Sequence, residues 1–529
     1  MLTRNNKQTN STKMVLAATA GFFVLLLTAC ATPLMPHDEP ASFAMPVATN
    51  NASWDPLLSN LPDEGADRQG VSWFSILNTG QESLYRRLAQ IDTATQSIDG
   101  QYFLWLEDAV GSLLFERLLM AAERGVRVRL LLDDSFLAGE DSVLLAMDEH
   151  PNISVRIYNP FVVRQDSMTK RYIENLNAFS RTNHRMHNKL MVADSTTAIV
   201  GGRNIADEYF GFGKELNFRD FDVVTTGDAV PELSKGFDVF WNSGWAFPVP
   251  EVDHKYIHRD RQGTDFQLLR TDLRNRAAEL DQWQSSVRAH PQNWPADWQT
   301  LAPTMTAGKA HLIQDKPHFE TQAPAQLASR IHQETLNTNE EVIAVTAYLV
   351  ATEGMLETIR QQSEKGVGFR FLTNSLASNN HVAAHTAYRH HRRALLQAGA
   401  GLHEVRPDGT DRALYEVPGY RAEQFGLHGK ILILDNDRVF IGTPNLDPRS
   451  FYLNTEMGLL IESPELNAQV RKAVQPNFSM SNSWRVQLSD EGSLSWHSDD
   501  GTLKRQPAGG FGRRIKDFFI GLFPIDSEM

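Results

Sequence analysis

Residues 187–204 read HNKLMVADSTTAIVGGRN, and residues 428–445 read HGKILILDNDRVFIGTPN. His187/His428, Lys189/Lys430, Asp194/Asp435, Gly201/Gly442 and Asn204/Asn445 coincide at a single offset of 241 residues. Gly125 and Gly366 share that offset, so the body of the chain is a duplication. In each copy the His and the Lys stand two apart in a strand-like apolar run, and a period of two puts them on one face. Asp194-Ser195 and Asp435-Asn436-Asp437 read as hairpin turns. The returning strands end in small residues, which let backbone approach a ligand closely.

Outward from the motif, Val126–Leu132 and Val367–Leu372 are buried-strand patterns. Helical patterns precede them at Gly111–Glu123 and Gly354–Lys365, and further strands at Ser97–Trp105 and Glu341–Val350. Strand, helix and strand in that order predict parallel strands covered by helices, hence an α/β fold.

The chain has 529 residues, 41% apolar and 22% charged, which is ordinary globular composition and excludes collagen, coiled coil and wholesale disorder. A mean hydropathy of -0.35 with one long apolar run excludes a polytopic membrane protein. A single cysteine, Cys30, excludes an internal disulfide and a Cys-based zinc cluster. The formal charge of -13 gives no general attraction to a polyanion, so nucleic acid is disfavoured as a partner.

The start has the form of an export signal. Arg4, Lys7 and Lys13 precede an apolar run from Met14 to Leu27, which closes on Leu27-Thr28-Ala29-Cys30. The closing tetrapeptide resembles a bacterial lipobox, which implies lipidation of Cys30 and removal of residues 1–29. Loss of the three basic residues leaves a mature charge of -16. Residue 31 is Ala rather than Asp, which for such lipoproteins favours the outer over the inner membrane. Proline-rich residues 30–70 read as a flexible tether. Residues 71–251 then form an N-terminal lobe, 252–325 an inter-lobe insertion with Trp283, Trp294 and Trp298 as packing aromatics, 326–475 a C-terminal lobe, and 476–529 an extension. In the extension Lys504, Arg505, Arg513, Arg514 and Lys516 precede an aromatic run, which reads as a last helix docked on the body or as a lipid-facing tail. His390-His391-Arg392-Arg393 reads either as a solvated helix face or as a meeting point for lipid phosphates.

Two half-sites facing each other bring two imidazoles, two ammonium groups and two carboxamides around one point. That suits an anionic phosphodiester. Lysines and amides hold the nonbridging oxygens as charge develops. One imidazole attacks phosphorus and the other protonates the leaving alkoxide. Nothing in the pattern requires a metal or a cofactor. Each imidazole needs its second ring nitrogen oriented, and Asp220 and Glu456 are the candidates. Each follows its motif Asn and begins a similar apolar run, Phe221–Val224 and Met457–Ile461. Asp194 and Asp435 are expected to fix the hairpins through bonds to backbone.

The HxKxxxxD pattern with its following Gly and Asn, present twice, resembles the phospholipase D superfamily. The flanks Arg185–Lys189, Gly202–Phe210, Thr373–Leu376, Pro444–Phe451, Asn454 and Glu456 are similar to bacterial cardiolipin synthases, the C type most of all. The resemblance implies a duplicated phospholipase D fold: two mixed-sheet lobes, flanked by helices, sharing one active site. It implies His187, Lys189, Asp194, His428, Lys430 and Asp435 as the catalytic signature, and Asn204, Asn445, Gly202 and Thr443 as the substrate-binding positions. It also implies a two-step exchange. His187 displaces the alcohol of one phospholipid, His428 acts as acid, and phosphatidylglycerol then takes up the phosphatidyl group. The expected partners are phosphatidylglycerol, a second phospholipid such as phosphatidylethanolamine, and a membrane surface. A hydrolase using the same site, whether phospholipase or nuclease, and a non-catalytic lipid-binding lipoprotein are the alternatives.

Overall fold

The computed structural model describes residues 39–47, 51–63, 69–252, 263–283, 293–317 and 326–520. Cys30 and the export signal lie outside them, and among the described residues no helix is long and apolar enough to cross a membrane.

The first lobe contributes β1 (Val71–Leu77), β2 (Ser97–Tyr102), β3 (Arg127–Asp133), β4 (Ile153–Tyr158), β5 (Leu190–Ala193), β6 (Thr197–Gly201), β7 (Leu216–Arg219), β8 (Asp222–Gly227) and β9 (Ala246–Pro248). The second contributes β10 (Thr306–Gln314), β11 (Glu341–Val345), β12 (Gly368–Asn374), β13 (Ala400–Val405), β14 (Gln424–Leu427), β15 (Ile431–Leu434), β16 (Arg438–Gly442), β17 (Met457–Glu462) and β18 (Ser483–Leu488). Hydrogen bonding orders the first sheet as β9-β4-β3-β2-β5-β6-β8-β1. The second runs β18-β13-β12-β11-β15-β16-β17-β10, the same topology. In each, the crossover strands pair in parallel and the hairpin strands antiparallel, as the strand–helix–strand patterns predict. β1 and β10 then pair antiparallel, Val71 opposite Lys309 through Phe74 opposite Thr306, joining the two sheets edge to edge. The short β7 and β14 pair in parallel across the lobes.

The alternation of the motif strands sets the layers. Leu190 and Val192, with Ile431 and Ile433, enter one core shared by the two sheets. Met191 and Ala193 face a separate core under the first lobe's helices, and Leu432 and Leu434 face its equivalent in the second. The helices Ala229–Trp241 and Pro464–Val474 also pack into the shared core, through Val230, Leu233 and Phe237, and Leu466 and Val470.

Three boundaries differ from the sequence reading. Much of the tether 30–70 is packed against the body. Trp54 and Leu57 are buried, and Trp54 Nε1 donates to Asp194 at 2.9 Å. Ala44 N donates to Asp238 at 2.9 Å, and Arg129 Nη1 donates to the Ser42 carbonyl at 2.7 Å. Proline-rich composition suggested reach, but one buried indole outweighs it, since a large aromatic removes more apolar area from water than any other residue here. The inter-lobe insertion 252–325 includes β10, which completes the second sheet, so that lobe begins at Thr306. The remainder covers the first lobe: Trp298 Nε1 donates to Thr93 at 2.9 Å and Trp294 Nε1 to Asp92 at 3.0 Å. The extension after 475 likewise supplies β18 to the sheet. Its last helix, Phe511–Ile520, docks on Val382–Gln397, where Asp517 accepts from Thr386 and Arg389, both at 2.8 Å. Arg392, within the His390–Arg393 run, is buried against Glu404 at 2.8 Å rather than presented to phosphates.

Candidate active site

His187 and Lys189 immediately precede and begin the run into β5, and His428 and Lys430 do so for β15. The backbone of each His is held by the opposite lobe. His187 N donates to the Thr455 carbonyl at 2.9 Å, and His428 N to the Arg219 carbonyl at 2.7 Å. The residues that follow those carbonyls are Glu456 and Asp220. The carboxylates therefore serve the opposite copy: His187 Nδ1 donates to Glu456 Oε2 at 2.8 Å, and His428 Nδ1 to Asp220 Oδ2 at 2.6 Å. Sequence order shows both carboxylates but not this exchange. With Nδ1–H donating, Nε2 of each ring is left as the basic nitrogen.

The carboxylates are themselves held. Glu456 Oε2 accepts from Thr443 Oγ1 at 2.5 Å, and Glu456 N donates to Asp315 at 3.1 Å. The equivalent of Thr443 in the first copy is Gly202. A Cβ there would stand 2.2 Å from Asp220 Oδ1, so only glycine leaves room for that carboxyl group. The expectation that Gly202 and Thr443 bind substrate is thereby corrected: both are occupied in seating the carboxylates. Asn204 and Asn445 are both buried, and their Oδ1 atoms have no hydrogen-bond partner among the described residues.

Asp194 and Asp435, although part of the catalytic signature, bond backbone as expected and stand away from the histidine end of their strands. Asp194 accepts from the backbone N–H groups of Thr95, Gln96 and Ser97, and Asp435 from those of Asn339, Glu340 and Glu341. Each sits in its hairpin turn at positive φ, 51° and 49°, but ties that turn to the chain entering β2 or β11. The signature spacing measures one strand length: chemistry at one end, anchorage at the other.

Burial governs the charges. It pushes His187 down to about 4, Glu456 opposing, and His428 down to about 3, with Lys430 adding to the effect. It also lowers Lys189 to about 7 and Lys430 to about 8, the two carboxylates opposing. Asp220 stays ionised, held at about 2: burial would raise it, but His428, Lys430 and Arg203 outweigh that. Glu456 is likewise lowered against burial by His187 and Lys189. Two neutral imidazoles, each backed by an ionised carboxylate, and two easily discharged ammonium groups thus make up the centre. Lys189 Nζ donates to the His187 carbonyl at 2.7 Å, and Lys430 Nζ to that of His428.

Sequence reasoning missed the aromatic walls. Phe103 lies edge-on to His187 at 4.8 Å, and Tyr209 and Phe218 stand 4.9 and 5.2 Å from His428. Phe103 follows directly on β2, which pairs with β5, and that adjacency was the available signal.

The sequence matches the cardiolipin synthase, PLD-like domain family over residues 88–241 and 332–476. It is 32% identical to cardiolipin synthase C of Escherichia coli K12 over 456 residues, which is 83% of this chain and 92% of that one. The chain belongs to the cardiolipin synthase family of phospholipase D-like proteins. A second family relative, cardiolipin synthase 2 of Bacillus cereus, is 26% identical over 78% of this chain and 66% of its own length. Among solved structures, phosphatidylserine synthase of Haemophilus influenzae Rd KW20 shares the fold, with a TM-score of 0.53 at 14% identity over 80% of this chain and 90% of that chain. The two family segments lie one in each lobe, and each holds one of the paired histidines.

Proposed function

We propose that this family member is a phosphatidyltransferase that forms cardiolipin from phosphatidylglycerol and a second phospholipid, through a phosphohistidine intermediate. The crossed His–carboxylate pairs carry this reading, because they present two basic Nε2 atoms and two lysines to one centre. His187 Nε2 attacks phosphorus as the bond to the leaving alcohol breaks. His428, protonated, gives its proton to that oxygen. A hydroxyl of phosphatidylglycerol then attacks the phosphorus, His428 takes its proton, and the P–N bond breaks. The anionic diester itself favours the proton on His428 and the charge on both lysines when it binds. The Nζ atoms of Lys189 and Lys430 and the Nδ2 amides of Asn204 and Asn445 donate to its nonbridging oxygens.

The test is expression in a cardiolipin-deficient bacterium, with extracted lipids resolved. Cardiolipin is expected with the unaltered protein and not with His187→Ala. Accumulation of phosphatidic acid without cardiolipin would make the protein a hydrolase instead.

The lipobox-like Leu27-Thr28-Ala29-Cys30 supports a lipid-anchored placement in the cell envelope on the periplasmic side, with Ala31 favouring the outer over the inner membrane. In the same strain, Cys30→Ser is expected to move the protein to the soluble fraction or leave an unprocessed precursor. Unchanged lipid labelling of that variant would refute the anchor.

A further inference from the structure

The duplication allows the lobes to be compared position by position. Thr352 caps the helix Glu353–Glu364 as Asp108 caps Ala109–Glu123, an offset of 244 residues. The same offset relates Leu349 to Trp105, each bridged to its motif loop, at Leu446 and Ile205 respectively. In the first lobe that helix packs Val110, Leu114 and Phe115 into the core, and Phe115 stacks on Trp105 at 4.8 Å. The counterparts in the second lobe are Gly354, Thr358, Ile359 and Leu349.

These replacements leave an apolar cavity of about 330 Å³ between the helices Gln326–Leu336 and Glu353–Glu364 and the outer face of the sheet. Phe369, Phe371 and Leu432 form its floor, and the exposed Ser329 and His332 stand at its rim. A side chain at position 354 would meet nothing closer than Thr352 Oγ1 at 4.0 Å. Protein interiors are ordinarily packed without such gaps, and this one reaches the size of a ligand pocket.

Its position relative to the candidate active site gives it a meaning. A narrower cavity bordered by Lys430 shares Ile331, Leu432 and Leu446 with the larger one. Lys430 and Leu432 are two apart along one strand run, so both face this side of the sheet. The smaller cavity holds only about 10 Å³, so the three shared side chains stand between Lys430 and the apolar chamber and must turn aside for a chain to pass.

We propose that this cavity holds one acyl chain of the phospholipid whose phosphate lies between His187 and His428. The inference rests on the phosphatidyl-transfer reading. It gives a pseudo-symmetric centre two unequal lipid positions: one whose chain enters the second lobe, and one opposite a first lobe already filled by Trp105 and Phe115.

The test restores the first lobe's filling with Gly354→Val and Thr358→Leu together. Turnover of dipalmitoyl and dioctanoyl phosphatidylglycerol is compared in the same detergent micelles. The ratio of long- to short-chain kcat/KM is expected to fall roughly tenfold, through KM, because lost chain burial is lost binding. An unchanged ratio would overturn the proposal. A second measurement uses the unaltered protein and phosphatidylglycerol bearing a diazirine at the acyl terminus. Photolabelling is expected in the helices 326–336 and 353–364. Label confined to other segments, in protein that does make cardiolipin, would remove the pocket alone. Label in these helices without phosphatidyl transfer would retain the pocket and remove the reading of function beneath it.

Discussion

His187→Ala is expected to abolish phosphatidyl transfer on every substrate, whereas the loss in His428→Ala is expected to depend on the leaving group. With phospholipid, both variants should fall by at least about 10³-fold, the range of a lost nucleophile or a lost general acid. A nitrophenyl phosphodiester releases an alcohol that needs no proton. It should restore His428→Ala substantially and His187→Ala not at all. Acid-quench trapping with labelled substrate reads the same division, as covalent label on His187 in the His428→Ala protein. Label on His428 in the His187→Ala protein would reverse the two roles. The lysines add a pH signature to the unaltered enzyme. Burial lowers Lys189 to about 7 and Lys430 to about 8, so both lose their charge as pH rises through that window. The kcat/KM profile, which reports free enzyme, should therefore fall on its alkaline side between about pH 7 and 8. The kcat profile should fall later, because bound diester stabilises the ammonium form.

Glu456→Gln is expected to reproduce the His187 defect, and Asp220→Asn the His428 defect. Each carboxylate accepts the Nδ1 proton of the histidine in the other lobe, so an amide there removes the charge that steadies the imidazolium and can turn its NH2 to the ring, fixing the wrong tautomer. Losses of about 10²–10⁴ in kcat are the scale for such a change in a His–carboxylate pair. The nitrophenyl substrate should rescue Asp220→Asn and leave Glu456→Gln inactive. The opposite pattern of rescue would mean that each carboxylate serves the histidine of its own copy. Circular dichroism and melting temperature separate these outcomes from misfolding, since both side chains are fully buried.

Sequence alone carried the repeat, the motif strands, the histidines and lysines, and the two carboxylates. Each of these is written in local spacing. The exchange of carboxylates was not, because His187 and Glu456 are 269 residues apart and nothing nearby in the chain records the pairing. The hairpin aspartates were placed in the right turns and bond backbone as expected, but which backbone groups they reach depends on where the chain before β2 and β11 runs. Thr443 and Gly202 looked like ligand positions because they flank the motif. Their actual task follows from a difference of one methylene between Glu456 and Asp220: the longer acid is steadied by a hydroxyl, and the shorter one needs the space a side chain would take. Composition misjudged the segment before β1, where the burial of Trp54 mattered more than six prolines between residues 31 and 70.

The crossed pairs also define what one half of this chain is worth. Cut between the lobes, each piece would keep one histidine and the carboxylate belonging to its absent partner, together with an unpaired sheet edge at β1 or β10. The contacts between the lobes are reciprocal, as at a closed two-fold interface between identical subunits. In that sense the chain is a dimer translated as one polypeptide. The covalent link fixes the stoichiometry that two separate subunits would owe to concentration. It also frees the halves to differ, and Gly202 with Asp220, set against Thr443 with Glu456, records that freedom at the centre of the molecule.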